Sequence, residues 1–266
     1  MSEDEYARRG IDLDKPNPAR VYDYILGGRL NYAVDRMFAD QVLAAQPNAR
    51  ERAQLNRQWL RRAIRFGMDQ GIRQFLDIGS GMPTVGHVHE VAHGIDPTAR
   101  VVYVDNEPVA VAHSEIVLED NENAVMVHAD AEFPDDVLEH ETTEMMLDLD
   151  QPVMVVMALF VHFIPDDRDP ARLIAAYRDA LAPGSYLAMS SATPEQQSDG
   201  TARAVAMYQK SANPVTPRTA DELRALVDGF EILDPGIVFI PEWRPDEGVP
   251  ENPAECGGLA LVARKN

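Results

Sequence analysis

From about residue 33 to residue 70, buried-type positions recur at three- and four-residue spacing. Met37, Val42 and Leu43 mark one segment; Asn56, Trp59, Leu60, Ala63 and Ile64 mark the next. Only a helix places such positions on one face, so the spacing predicts helices ahead of anything strand-like. After Gly71 the period changes. RQFLDI (73–78), RVVYVD (100–105), AVMVH (124–128), VMVVMA (153–158) and SYLAMS (185–190) are short runs, several apolar at almost every position. That pattern suits strands covered on both faces. Amphipathic stretches separate them, notably Pro108–Leu118 and Arg168–Leu181. Strand, helix, strand in repetition predicts an α/β, doubly wound parallel sheet. The tail differs: FEIL (230–233), GIVFI (236–240) and GLALVA (258–263) have no helical stretch between them. It predicts an antiparallel hairpin closing one sheet edge.

No internal repeat, low-complexity tract or interdomain linker interrupts the 266 residues. The expected organisation is an N-terminal cap segment with helices over 1–71, and a sheet domain over 72–266, as one compact unit. Hydrophobic residues at 45% and charged residues at 26% fit a soluble globular chain and exclude wholesale disorder. The longest apolar run, Val153–Val161, is far shorter than the roughly 20 residues a bilayer requires. The first ten residues, MSEDEYARRG, contain neither a secretory signal nor a transit peptide pattern. Cys256 has no partner for a disulfide, so a reducing cytoplasm is expected.

The net charge of −20 is uneven. Residues 1–75 hold 13 Lys/Arg against 10 Asp/Glu, and residues 76–266 hold 11 against 34. An acidic body repels phosphate backbones and anionic lipid, which argues against nucleic acid and membrane as partners. The oligomeric state is not legible.

Chemistry concentrates at the strand ends. FLDIGSGMPTVG (75–86) is a strand running into a glycine loop, where Gly79 and Gly81 let the backbone approach a ligand. Asp105 ends the second strand, 24 residues after Gly81, where a carboxylate can accept both ribose hydroxyls. Asp130 ends the third. A dinucleotide loop needs G-x-G-x-x-G to seat a pyrophosphate on a helix N-terminus, whereas this loop reads GSGMPT (79–84) behind Asp77. A carboxylate there disfavours a diphosphate and favours an ammonium group. S-adenosylmethionine, with an adenosine, an α-amino group and no phosphate, fits better than NAD or ATP.

DIGSG (77–81), VDNEP (104–108), HAD (128–130), ALFVHFIP (158–165) and LAPGSY (181–186) together resemble the class I S-adenosylmethionine-dependent methyltransferases. PARVYDYILGG (18–28), followed by Asn31-Tyr32, and FLDIGSGMPT (75–84) resemble one bacterial family of that class, long listed as a domain of unknown function. The resemblance implies a Rossmann-like seven-stranded sheet with its last strand antiparallel. It implies Gly79 and Gly81 at the methionine part, Asp77 near the amino group and Asp105 at the ribose. It also implies Asn106 against the adenine, and Asp130 with Ala131 at the adenine edge. Met82-Pro83-Thr84 is bulkier than the family pattern.

In Asn17–Tyr32, Arg20 is a candidate partner for the cofactor carboxylate, Tyr22 and Tyr24 for shielding the methyl donor, and Gly27-Gly28 for a lid hinge. A plain helix with Gly27 as its C-cap accounts for the same residues. HEVAH (89–93) matches the H-E-x-x-H zinc pattern, with Glu107 or Asp96 as a third ligand; stacked surface histidines account for it too. No metal is expected. Methyl transfer needs a base only if the acceptor is protonated, and His162 is the catalytic candidate, or else a helix cap or pocket-lining residue. Tyr22, Tyr24 and Phe160 could wall an apolar acceptor. The expected function is methyl transfer from S-adenosylmethionine to a small molecule, leaving S-adenosylhomocysteine. The alternatives are a non-catalytic cofactor-binding regulator and a zinc hydrolase using His89, Glu90 and His93.

Overall fold

The computed structural model describes residues 11–83, 86–196, 198–246 and 248–266. Thr84 of the glycine-loop motif and the opening ten residues therefore lie outside the described residues. Among the described residues three helices come first: α1 (Pro18–Leu26), α2 (Ala33–Ala45) and α3 (Ala49–Asp69). The parallel strands β1 (Gln74–Ile78), β2 (Arg100–Asp105), β3 (Ala124–His128), β4 (Met154–Ala158) and β5 (Tyr186–Ala192) follow. Between them run α4 (Val88–His93), α5 (Pro108–Leu118), α6 (Pro134–Leu138), α7 (Glu141–Met146) and α8 (Pro170–Ala180). After β5 come α9 (Asp199–Tyr208), α10 (Ala220–Leu226), β6 (Glu231–Ile232), β7 (Val238–Phe239) and β8 (Gly258–Arg264).

The sheet order is β3-β2-β1-β4-β5-β8-β6, with β7 also paired to β8. The strand order reverses between β1 and β4, and a doubly wound sheet opens its crevice at that point. β8 runs antiparallel to β5 over seven residue pairs and also to β6 and β7, so the tail is antiparallel as expected, but its last strand is inserted next to β5 and does not form the edge. Eight strands occupy seven sheet positions, because the edge position is made in two pieces. β6 and β7 pair separately with β8, on either side of Asp234-Pro235. Pro235, which has no N–H to give to a ladder, lies in the break between the two pieces.

Alternate residues of β1 enter opposite cores, as the two-residue strand period demands. Leu76 and Ile78 pack with Leu173, Ile174 and Tyr177 of α8 and Leu223 of α10. Phe75 packs with Trp59, Leu60, Ala63 and Ile64 of α3 and Val88 and Ala92 of α4. Trp59, Ala63 and Ile64 are fully buried, and a side chain of the Ile64 kind contributes roughly 1.5–3 kcal/mol on leaving water. A smaller core of Val21, Ile25, Ala39, Val42, Ala53 and Ala204 joins α1, α2, the start of α3 and α9. The N-terminal helices thus form a roof over the crevice. α9 and α10 escape the apolar pattern of the sequence, since only Thr201 and Ala204 of α9 and Leu223 of α10 are buried.

Candidate functional site

Under that roof, beyond the carboxyl ends of β1, β2 and β4, lies a cleft of about 510 Å³. Pockets of this size hold small ligands and cofactors. Gly79, Gly81, Asp77, Asp105, Asn106, Asp130 and Ala131 all line it, so the fold brings together seven residues that the sequence pattern singles out. The glycine loop is held from β2: Gly79 and Ser80 donate to the Val104 carbonyl at 2.9 and 3.1 Å, and Gly81 donates to Asp105 Oδ2 at 2.7 Å. At Gly79, with φ +66, a Cβ would lie 2.5 Å from the Phe160 ring. At Gly81, with φ +70, it would meet nothing closer than Ala19 Cβ at 3.9 Å, so the loop backbone faces open space.

Asp105 Oδ1 accepts the Glu107 amide at 2.8 Å. Burial pushes the Asp105 carboxyl up, against the pull of its backbone donors. Asp130 Oδ1 accepts the Glu132 amide at 3.0 Å, and the Ala131 carbonyl accepts the Tyr177 hydroxyl at 3.0 Å, which fixes the turn after β3. Asn106 is exposed at the cleft mouth. Met82 is buried beside Ile11, Val109 and Ala110, so the bulky position of the loop fills a small apolar core.

Asp77 is buried and accepts no hydrogen bond among the described residues. Burial raises its pKa from 3.8 to about 7, the Arg57 cation opposing and the Asp105 charge reinforcing the shift. Arg57, which no sequence motif marks, also lines the cleft, 5.7 Å from the Tyr22 ring centroid. Tyr22 also lines the cleft, its hydroxyl donating to the Ala53 carbonyl at 3.0 Å.

Three N-terminal expectations are corrected. Arg20 does not reach the cleft. It is buried, with Nε 3.0 Å from Asp35, Nη1 3.1 Å from Glu107, and Nη2 donating to the carbonyls of Asp12 and Lys15. The Tyr24 hydroxyl donates to Asp40 of α2 at 3.1 Å, and the residue is not among those lining the cleft. Gly27 is the left-handed C-cap of α1, and Gly28 sits against the Asp23 carboxylate, which accepts from Leu30 N and Asn31 Nδ2, each at 2.8 Å. That turn is tied shut.

His162 lines the cleft, but burial and then the Arg218 cation depress its pKa to about 3. The Ala192 amide approaches its Nδ1 at 3.4 Å, which places the imidazole proton on Nε2. The geometry gives a neutral donor, not a base. The histidine motif on α4 is likewise committed. His89 Nδ1 meets Tyr103 Oη at 2.7 Å, His93 Nε2 meets the Ala99 carbonyl at 2.8 Å, and Glu90 accepts the Gly86 amide at 2.6 Å. Asp96 pairs with Arg73 and Glu107 with Arg20. Among the described residues no group of three or more His, Cys, Asp or Glu side chains is placed to hold a metal. No helix among them is long and apolar enough to cross a membrane.

A family model described as S-adenosyl methyltransferase matches residues 4–266. A crystal structure from Thermobifida fusca YX, of a protein assigned by its name to the methyltransferases, is 38% identical. It has a TM-score of 0.91 and covers 97% of both chains. A DUF574 family protein from Streptomyces avermitilis MA-4680 is 34% identical, with a TM-score of 0.90, covering 96% of this chain and 99% of its own. A structure of SAM-dependent methyltransferases from Methanosarcina mazei shares the fold at 16% identity and a TM-score of 0.51. It covers 73% of this chain and 92% of its own. Among curated proteins, none matches.

Proposed function

We propose, for a chain that belongs to the S-adenosyl methyltransferase family, that the cleft binds S-adenosylmethionine and passes its methyl group to a small-molecule acceptor. Asp77 carries this reading. A buried carboxylate without a hydrogen-bond donor, next to a two-glycine loop with open space before it, fits a ligand with a cationic amino group. A diphosphate would meet that carboxylate as a like charge.

The roles follow from position. Asp77 receives the ammonium, and Arg57, beside it, receives the cofactor carboxylate in place of Arg20. Asp105 retains lone pairs for the ribose hydroxyls after its two backbone contacts. Asp130 and the Ala131 backbone face the adenine edge, and Asn106 lies against it. Tyr22 and Phe160 exclude water from the centre. When bound, the cofactor supplies an activated methyl on a sulfonium; the protein's task is to orient the acceptor and keep the site dry. The reaction leaves S-adenosylhomocysteine.

Thermal-shift titration tests the assignment. S-adenosylhomocysteine should raise Tm progressively with the logarithm of its concentration, worth about 2.7 kcal/mol at 100 times its Kd. NAD and a chelator should leave Tm unchanged. Stabilisation by NAD without response to S-adenosylhomocysteine overturns the reading.

A further inference from the structure

The two ends of the cleft differ in charge: the cofactor end mixes carboxylates with Arg57 and Arg168, the latter paired with Glu132, whereas the far end holds an arginine without a carboxylate. The acidic side chains that line the cleft among the described residues are Asp23, Asp77, Asp105, Asp130 and Glu132. Four of these stand at or just past the ends of β1, β2 and β3, and Asp23 is spent on the turn after α1. The opposite end, roofed by α3 and α9, presents Arg52.

Arg52 is half-buried and has no acidic partner among the described residues. Nε donates to the Cys256 carbonyl and Nη1 to Thr201 Oγ1 at 2.9 Å, both neutral acceptors. Nη2 makes no hydrogen bond to a described residue. It lies over Gly257, where a Cβ would fall 1.2 Å from it, so the glycine makes the space the guanidinium occupies. Burial draws its pKa down to about 10, which leaves it cationic at neutral pH. A half-buried guanidinium with only neutral partners keeps a charge that an arriving anion can meet.

The part of the cleft bordered by α9, which Arg52 reaches at Thr201, is also aromatic. The rings of His162 and Phe163 lie 4.4 Å apart and those of Phe163 and Tyr208 6.3 Å, and Tyr208 packs on Phe38 at 5.0 Å. It also contains no base. His162 stays neutral, and burial raises the Tyr22 and Tyr208 phenols and the Cys256 thiol. An acceptor must therefore arrive with its lone pair already free, as an anion or a neutral nitrogen, and of these the Arg52 guanidinium selects the anion. A phenol, at about 10, is protonated near neutral pH, whereas a carboxylic acid, at about 4, is not. A carboxylate also matches the guanidinium fork.

We propose that the acceptor is an aromatic carboxylate, held by Arg52 and the Phe163–Tyr208 wall, and converted into its methyl ester. The step balances without a proton. A lone pair of the carboxylate oxygen forms the new O–CH3 bond, and the electron pair of the S–CH3 bond stays on sulfur. The ester is neutral, so the product loses its attraction to Arg52 and leaves.

The inference rests on the cofactor assignment, and calorimetry separates the two. First, S-adenosylhomocysteine is titrated alone; no binding removes the cofactor assignment and this inference with it. Next, protein saturated with S-adenosylhomocysteine is titrated with 4-hydroxybenzoate and cinnamate, and with their neutral amides. The carboxylates are expected to bind at least about tenfold tighter than the amides. Arg52→Met should erase that preference and Arg52→Lys retain part of it, with S-adenosylhomocysteine affinity kept in both. With S-adenosylmethionine present, mass spectrometry should detect the methyl esters. Equal binding of amides and carboxylates, no binding of either, or an undiminished preference in both Arg52 variants overturns the proposal.

Discussion

Asp105 Oδ2 takes the Gly81 amide hydrogen at 2.7 Å, so the end of the second strand holds the loop that follows the first. One carboxylate both shapes the loop and faces the ribose position. Asp105→Ala should raise the Kd for S-adenosylhomocysteine by about 30-fold, roughly 2 kcal/mol, measured by calorimetry. Asp105→Asn should recover little of it, because an amide cannot accept from both Gly81 and Glu107 through its two ends. An unchanged Kd in Asp105→Ala would refute the strand-end assignment.

Asp77 makes the free protein pH-sensitive. Its folded pKa, about 7, lies above the unfolded 3.8, so the folded state holds a proton that the unfolded state has released. Its contribution to stability is therefore present below pH 4 and is lost as pH rises to about 7, on the order of 4 kcal/mol in total. Asp77→Asn should gain on wild type over that window in denaturant midpoint. S-adenosylhomocysteine should bind more tightly as pH rises towards 7, with proton release at pH 6 that disappears in Asp77→Asn. Release of equal size in the variant would assign the proton elsewhere.

For His162 the sign is opposite. A folded pKa of about 3 against 6.5 unfolded gives stability that is full above 6.5 and fades as pH falls towards 3. His162→Gln, which keeps a donor but cannot titrate, should be less acid-labile than wild type. NMR should find the His162 ring neutral with its proton on Nε2 down to about pH 4. Titration near 6.5 would restore it as a base.

Arg20 is expected to act on stability. Arg20→Met leaves Asp35 and Glu107 as buried carboxylates without their cation, and should cost about 3–5 kcal/mol in chemical denaturation. The affinity of the folded variant for S-adenosylhomocysteine should stay close to wild type. Lost affinity at unchanged stability would return Arg20 to the cofactor.

The sheet was readable because buried parallel strands are almost uniformly apolar, and the cofactor end because its acids and glycines sit at fixed strand ends. The N-terminal segment was not, because sequence spacing does not say where a long side chain finds its partner. Arg20 and Tyr24 turn to Asp35 and Asp40, 15 and 16 residues on, contacts that arise only once α2 folds back on α1. Arg52 did leave a trace. It lies four residues before Asn56, on the stripe that continues through Trp59, Leu60 and Ala63. Spacing alone does not separate it from Arg62, buried on the same helix, which donates to the Trp243 and Ile240 carbonyls instead. The tautomer of His162 left none, since it depends on the Ala192 amide 30 residues away.

The two-piece edge beside β8 has a consequence for the molecule among its neighbours. A long open strand invites another chain to add to it, the first step of amyloid-like association. Here each outer piece, Glu231–Ile232 and Val238–Phe239, is two residues long, and Pro235 stands between them. A passing strand finds too few consecutive backbone groups on this side to grip, so a chain with so apolar a sheet remains safe there at the concentrations of a crowded cell.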